Sequence, residues 1–194
     1  GYGDNGVNGA RGAAWVFVRN GGVWTQQAAK LTRAGANNFG VSVALSADGN
    51  TAVIGEEYDH ASGSAWIWTR SGSLWTQQPT RLAGSDAAGT GINIHQGYSV
   101  SISADGNTAI VGGYGDNQNA GAAWIWRRSG SVWTQLSAKL VGADAVGANV
   151  YQGLSVALSG DGQTAIVGGF GDNSSAGAAW VFDNVIQRRR VVKR

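Results

Sequence analysis

The amino-acid sequence predicts an all-β protein, a β-propeller built from four-stranded antiparallel blades. The first observation is a repeat. Ser-Val-Ala/Ser-Leu/Ile-Ser begins at Ser42, Ser99 and Ser155, with spacings of 57 and 56 residues. Recurrence at a fixed period of tens of residues is typical of solenoids and propellers. The second observation is that no segment has a sustained apolar period of about 3.6 residues, so almost no helix is expected.

Two further markers recur in the same order, and together they delimit the strands of each unit. Gly-Ala/Ser-Ala-Trp begins at Gly12, Gly63, Gly121 and Gly177, and Leu/Val-Trp-Thr-Gln begins at Val23, Leu74 and Val132. In the third unit the predicted strands are a (Ser99–Ser103), b (Thr108–Gly112), c (Ala122–Arg127) and d (Val132–Leu140). Runs rich in Val, Ile, Trp and Thr between Gly, Asn, Asp and Ser clusters indicate strands. Four consecutive antiparallel strands per repeat are typical of a propeller blade.

The repeats predict about three and a half blades in residues 1–182. The units are a partial blade in 1–31 with strands c and d, full blades in 42–82 and 99–140, and a partial blade in 155–182 with strands a, b and c. Residues 183–194 form a basic tail, which is either a degenerate outer strand d or a disordered end.

An incomplete set of blades predicts self-association. Propellers close with about 4–8 blades, and exposed strand edges at both ends of the series would promote pairing. Two copies of three and a half blades would give seven, so we expect a homo-oligomeric ring, most simply a dimer. The alternative is that the sequence is a piece of a longer chain with more blades.

Loop lengths predict which side of the blades carries the function. The a–b and c–d connections are short, for example 104–107 and 128–131, and in an up-and-down blade they share one face. The b–c loops, such as 113–120, and the divergent d–a loops, such as 83–98, share the opposite face. Because long variable loops on a rigid scaffold commonly carry binding sites, we expect recognition on this long-loop face.

Composition excludes several function classes. The net charge is +2, but the five Lys and Arg after Asp183 make the tail basic, and the chain through Asp183 has 9 Lys/Arg against 12 Asp/Glu, a net of −3. No nucleic-acid footprint is therefore expected. Cysteine is absent, which excludes disulfides and thiol chemistry. No apolar run predicts membrane insertion, and the polar, uncharged composition favours an extracellular or cell-surface location.

The repeat motifs resemble those of the bacterial FG-GAP repeat family, which is related to the blades of integrin α-subunit propellers. The motifs are Phe-Gly-Val-Ser-Val-Ala-Leu-Ser at Phe39–Ser46, Thr-Ala-Ile-Val-Gly-Gly, and Gly-Ser-Ala-Trp-Ile-Trp followed by Trp-Thr-Gln-Gln. The resemblance covers residues 1–182 and implies a secreted or cell-surface propeller with a binding or adhesive role. Integrin-type blades also carry an Asp-x-Asp/Asn-x-Asp-Gly calcium loop. Here only Asp48, Asp105 or Asp161 remains in each loop, so we expect tight Asp-Gly turns rather than calcium sites, and no metal or cofactor.

The candidate ligand-binding residues lie in the Gly-Asp-Asn loops that follow strand b. An Asp/Asn pair beside an aromatic ring can recognise hydroxyl groups, and repetition would make the sites multivalent. The alternative is that Asp and Asn only hold the turns. The candidates are Asp4, Asn5, Tyr58, Asp59, His60, Tyr114, Asp116, Asn117, Phe170, Asp172 and Asn173.

No enzyme is predicted, and no catalytic residue is assigned. No Gly-x-Ser-x-Gly elbow is present. The only glutamates, Glu56 and Glu57, are adjacent and would point to opposite faces of a strand. His60 and His95 are expected to be isolated and solvent-facing. The nine Trp residues invite comparison with sugar-binding sites, but their regular positions favour a core between blades. We therefore expect a non-enzymatic module that binds glycan or protein through the long b–c and d–a loops. A structural self-assembling propeller fragment is the alternative, and a hydrolase is the third.

Overall fold

The computed structural model describes Gly1, Asp4 and residues 11–89 and 93–186. The predicted site residue Asn5 and residues 187–194 of the basic tail lie outside the described residues. Within the described part of the chain, regular structure is almost entirely β-strand, as the sequence predicts.

The strands form four antiparallel sheets in which sequence neighbours pair. Sheet 1 contains β1 (Phe17–Asn20) and β2 (Val23–Gln26). Sheet 2 contains β3 (Phe39–Leu45), β4 (Thr51–Glu56), β5 (Ser64–Ser71) and β6 (Leu74–Leu82). Sheet 3 contains β7 (Gln96–Ile102), β8 (Thr108–Gly113), β9 (Ala122–Ser129) and β10 (Val132–Gln135). Sheet 4 contains β11 (Ser155–Leu158), β12 (Ala165–Gly169) and β13 (Ala178–Phe182). The predicted four-stranded antiparallel unit is confirmed in sheets 2 and 3.

The core lies between successive sheets, because each sheet has two different apolar sides. One side, the aliphatic face, is formed in sheet 2 by Val53, Ala65 and Ile67, and it packs against Trp124 and Trp126 of sheet 3. The other side, the tryptophan face, is formed by strands c and d. Its buried rings are Trp66, Trp68 and Trp75 in sheet 2 and Trp124, Trp126 and Trp133 in sheet 3. The expectation that regularly spaced Trp residues form core between sheets is confirmed for these six.

The first strands of neighbouring sheets also touch. β3 contacts β7, and β7 contacts β11. A hydrogen bond from the Ser42 hydroxyl to the Gly97 carbonyl oxygen (2.7 Å) joins sheets 2 and 3. The equivalent bond from Ser99 to the Gly153 carbonyl oxygen (2.7 Å) joins sheets 3 and 4. The same serine of two successive repeats therefore links its sheet to the next one.

The Asp-Gly turns between the first two strands have the predicted turn chemistry. In sheet 2, Asp48 accepts hydrogen bonds from the Ser46 hydroxyl (2.5 Å) and the Asn50 amide (2.9 Å). These bonds lower the pKa of Asp48 below its ordinary value. The Asn50 carbonyl oxygen accepts from the amide of Arg70 (2.8 Å), so the a–b and c–d turns share one face, as expected.

The fourth strand of sheet 3 is shorter than predicted. The expectation was a strand over Val132–Leu140, whereas β10 ends at Gln135 and pairing resumes only in a bridge between Ala123 and Leu140. Beyond Gln135, the Lys139 amide donates to Asp86 of the preceding d–a loop (2.8 Å), and its ammonium group donates to Asp116.

Candidate functional site

The long-loop face is formed as predicted, with each b–c loop bound to the d–a loop that precedes its sheet. In sheet 3, Asp116 accepts a hydrogen bond from the amide of Ala88 (2.6 Å). In sheet 4, Asp172 accepts from the amide of Val146 (2.6 Å). The two contacts occupy the same repeat position, so one loop geometry recurs around this face.

The loop aspartates are engaged within the protein. Asp59, Asp116 and Asp172 are buried. Three of the loop aspartates form ion pairs with a Lys or Arg that lies one residue before the last leucine of the strand-d segment. The pairs are Lys30 with Asp4, Arg81 with Asp59, and Lys139 with Asp116. This arrangement corresponds to the alternative interpretation of the Gly-Asp-Asn pattern, in which the carboxylates hold the loops.

Asp59 is the centre of the most extensive of these networks. Its carboxylate accepts from Ser64 (2.6 Å), Arg81 (2.6 Å) and Arg33 (2.8 Å), and His60 Nδ1 lies 2.6 Å away. Burial acts to raise the pKa of Asp59. The hydrogen bonds from Ser64, Arg81 and His60 and the charge of Arg33 outweigh burial and lower it. The carboxylate is therefore held ionised at the junction of sheets 1 and 2.

A row of aromatic rings crosses the same face, and it is the main candidate binding feature. We call it the aromatic ladder. Its rings, in order, are Tyr58, His95, Tyr114, Tyr151 and Phe170. His95 stacks on Tyr114 with centroids 4.5 Å apart and an interplanar angle of 7°. Tyr151 stacks on Phe170 at 5.0 Å and 4°. Tyr98 meets Tyr114 edge-on at 4.9 Å.

The ladder takes its rings alternately from two loop positions. Tyr58, Tyr114 and Phe170 follow strand b, whereas His95 and Tyr151 precede strand a. His95 and Tyr151 both have φ of 58°, in the left-handed region that is uncommon outside glycine, although His enters it more readily than Tyr. Strained backbone of this kind concentrates at binding and catalytic sites. The strain at His95 and Tyr151 places their rings in the ladder.

The ladder offers one well-exposed ring and several hydroxyl groups. Phe170 is 54% exposed, and because Tyr151 covers one face, the exposed area belongs to its other face and its edges. Burial raises the pKa of Tyr114 to about 12, and the nearby charges of Glu57 and neighbouring tyrosines add to this. The Glu57 charge, with burial, also raises the pKa of Tyr58. Both phenols therefore remain hydrogen-bond donors at neutral pH.

Two pockets lie beside the ladder at equivalent places between a d–a loop and the next b–c loop. One has a volume of about 380 Å³ and includes Arg33, Tyr58 and His60 in its wall. The other has a volume of about 320 Å³. Its lining residues are Gly89, Asn93, Ile94, His95, Gly115, Gln118 and Asn119. Side-chain amides supply both donors and acceptors, so this second pocket suits a ligand rich in hydroxyl groups.

The predicted site residues thus separate into two groups. Tyr58, Tyr114 and Phe170 belong to the ladder, and His60, Asn117 and Asn173 are exposed beside it with positive φ. The described aspartates, namely Asp4, Asp59, Asp116 and Asp172, hold the loops instead.

Sequence reasoning missed two ladder residues. His95 was expected to face solvent, and this is wrong, because its side chain is 16% exposed and contacts Tyr58 and Tyr114. Tyr151 was not singled out. A signal was present, since both residues precede a Gln-Gly pair just ahead of strand a. What the sequence did not indicate is that this position is left-handed and points its side chain between two loops.

The two glutamates do not form a paired-carboxylate site. Glu56 is buried and accepts two hydrogen bonds from Arg33 (2.7 and 2.8 Å). Glu57 accepts from Asn38 (2.8 Å) and lies 3.5 Å from His95. Among the described residues, no group of three or more His, Asp or Glu side chains is placed to hold a metal ion. The same part of the chain contains no helix long and apolar enough to span a membrane.

Comparison with known proteins gives distant structural likenesses only. Neither a protein-family model nor a curated protein sequence matches the chain. TolB from Acinetobacter baumannii is 13% identical, with a TM-score of 0.46 over 84% of this chain and 33% of that one. A TolB-type chain from Agrobacterium tumefaciens is 11% identical, with a TM-score of 0.46 over 88% and 54%. A fucose lectin from Kordia zhangzhouensis, solved with methyl-fucoside, is 13% identical, with a TM-score of 0.41 over 73% and 91%. The chain thus spans a third to about half of the two TolB-type chains. At these TM-scores the likenesses carry no argument about fold or function.

Proposed function

We propose that this chain is a non-enzymatic, glycan-binding β-propeller module that binds an oligosaccharide along the aromatic ladder. The observation that carries the proposal is the ladder itself, an ordered row of rings beside two polar pockets. The successive sheets, with their first strands in contact, support the propeller arrangement. The repeat motifs support membership of the FG-GAP type and, with it, an extracellular or cell-surface location.

The end of the ladder suits the apolar face of a sugar ring. Aromatic rings carry negative charge on their faces, which attracts the slightly positive C–H groups of a pyranose. Phe170 presents such a face, with Tyr151 fixing the ring from behind. A preorganised ring needs little ordering on binding, and this improves affinity.

The flanks of the ladder suit sugar hydroxyls. The phenol of Tyr114 is neutral and can donate, and the amides of Gln118 and Asn119 line the adjacent pocket. Concave sites with an apolar surface and a few fixed polar groups are the usual form of small-molecule sites. Because the pockets repeat between sheets, an extended saccharide could occupy more than one of them, and each added contact would raise the avidity.

A glycan array tests the proposal directly. The wild-type chain should bind a subset of glycans, and Phe170→Ala should weaken that binding about tenfold. A tenfold loss corresponds to about 1.4 kcal/mol, the upper range for one aromatic contact. Because Phe170 is half exposed, its truncation should leave the fold intact.

Leu74→Ala is the matched control. Leu74 is also an exposed apolar residue, but it lies at the c–d turn, on the opposite face. Its replacement should leave the array pattern and the affinity unchanged. If wild type binds no glycan, or if Leu74→Ala weakens binding as much as Phe170→Ala does, the ladder is not a glycan site. Retention by a protein partner alone would support a protein-binding module in its place.

A further inference from the structure

The two ends of the sheet series expose the two kinds of apolar face that pack together inside the chain. Between sheets 2 and 3, and again between sheets 3 and 4, the aliphatic face of the earlier sheet covers the aromatic side of the later one. Sheet 1 covers the tryptophan face of sheet 2 through Ala14, Val16 and Leu31. Three internal interfaces thus share one pattern of contact.

The tryptophan face of sheet 1 has no such cover among the described residues. Trp24 is 65% exposed, whereas the equivalent rings Trp75 and Trp133 are 8% and 4% exposed. Phe17, in the neighbouring strand, is also half exposed, although its counterpart Trp126 in sheet 3 is buried. The side chains are of the same type as those in the internal interfaces, but no described sheet packs against them.

The aliphatic face of sheet 4 is exposed in the complementary way. Val181 is 61% exposed, whereas its repeat equivalents Ile67 and Ile125 are 0% and 2% exposed. Ile166 of the adjacent strand is likewise exposed, whereas its equivalent Ile110 is buried. Adjacent apolar side chains exposed together on a sheet are typical of an interaction site.

We propose that a second copy of this chain covers both faces, head to tail, with Val181 and Ile166 of one copy against Phe17 and Trp24 of the other. The occupant follows from the internal interfaces, because the chain itself shows three times which face packs on which. Faces of two different kinds make a heterologous contact, and such contacts close into a ring when the rotation permits.

The number of sheets is consistent with closure by two copies. The described residues of each chain form four sheets, of which the first has two strands and the last has three. Two copies therefore provide eight sheet positions rather than the seven blades expected from the sequence, still within the range of about 4–8 for propellers. This inference does not depend on the ligand, and it can hold or fail separately from the glycan proposal.

The native mass of the full chain tests the proposal, measured by size-exclusion chromatography with light scattering. Wild type should have twice the chain mass of 19.9 kDa. Phe17→Lys and Val181→Glu should each give a single chain, because a charge would be buried in the interface. The controls Val132→Lys and Leu74→Glu, at exposed apolar positions of the c–d turns, should remain dimeric.

Mixing the two interface variants tests the head-to-tail geometry. A mixed dimer has one wild-type contact, and at the other contact the introduced lysine faces the introduced glutamate. The mixture should therefore recover the dimer mass. In a face-to-face dimer of like surfaces, only one of the two variants would dissociate when measured alone.

Four results would overturn the proposal. They are a wild-type chain that stays single at all concentrations, a dimer that survives both variants, a mixture that stays monomeric, and a mass that grows beyond two chains. Circular dichroism must match wild type for each variant. A variant that fails this check is replaced by Phe17→Gln or Val181→Gln, for which the same outcomes apply.

Discussion

Replacing Asp59 with asparagine should destabilise the protein by about 3 kcal/mol. Asp59 is buried and accepts from Ser64, Arg33 and Arg81. Removing one partner of a buried ion pair costs about 3–5 kcal/mol. The lower end applies here, because the side chains of Arg33 and Arg81 are 15% and 30% exposed and can be rehydrated. For a chain of this size, 1 kcal/mol shifts Tm by about 2–4 °C, so we expect a fall of about 6–12 °C.

The assay is thermal and urea unfolding followed by circular dichroism, with His60→Ala as control. His60 contacts the same carboxylate, but its side chain is two-thirds exposed, so its removal should cost less than about 1 kcal/mol. If Asp59→Asn changes the free energy of unfolding by less than about 0.5 kcal/mol, Asp59 does not hold the loops as described here.

The same variant has a defined pH dependence. The folded-state pKa of Asp59 is lowered from 3.8, so its contribution to stability is present above that value and is lost as the pH falls through the folded-state pKa. As the pH falls below 3.8, wild type should lose more stability than Asp59→Asn, and the two curves should converge below the folded-state pKa. Parallel curves would show that Asp59 is not the titrating group.

Three other predictions address the packing, the loop ion pairs and the ladder. Gly84→Ala should destabilise by about 1–3 kcal/mol, because a Cβ there would lie 2.1 Å from the indole nitrogen of Trp124, whereas Gly160→Ala, with its nearest contact at 3.7 Å, should be neutral in urea unfolding. Lys139→Ala should lower the free energy of unfolding by about 2–4 kcal/mol because it leaves buried Asp116 without its cation. Lys30→Ala should lower it by less than about 1 kcal/mol because Lys30 and Asp4 are both partly exposed. Equal losses for the two variants in urea unfolding would contradict the burial argument. Tyr114→Phe should remove a phenol that ionises near pH 12. The ultraviolet absorbance of ionised tyrosine should therefore match wild type below about pH 10.5 and be smaller than wild type above it. A smaller absorbance already below about pH 10.5 would show that Tyr114 is not shielded from solvent.

Much of the fold could be predicted because the relevant signals are local. The Asp-Gly turns are built from contacts two to five residues apart, as in Ser46, Asp48 and Thr51. Strand c alternates Trp with Ile or Val, so its two faces were visible in the sequence. The repeat then placed these faces against each other without any knowledge of long-range contacts.

The candidate site was harder to predict because its contacts join different repeats. Asp116 is a candidate ligand-binding residue with a loop-holding role as the alternative, and Ala88 and Lys139, 28 and 23 residues away, bind its carboxylate from inside. His95 and Tyr151 enter the ladder through a left-handed backbone, which is uncommon for residues other than glycine. Such geometry is imposed by packing between sheets, and single-sequence patterns do not record it.

The measurement that tests the central claim most directly is a titration of the array-positive oligosaccharide followed by aromatic ¹H–¹³C NMR. The claim is that this protein binds its glycan ligand along the aromatic ladder. The ring resonances of Tyr151 and Phe170 should shift. Those of buried Trp124, and of Trp75 beside the c–d turn on the opposite face, should stay in place. Shifts confined to the tryptophans, with Tyr151 and Phe170 unchanged at saturation, would contradict the claim.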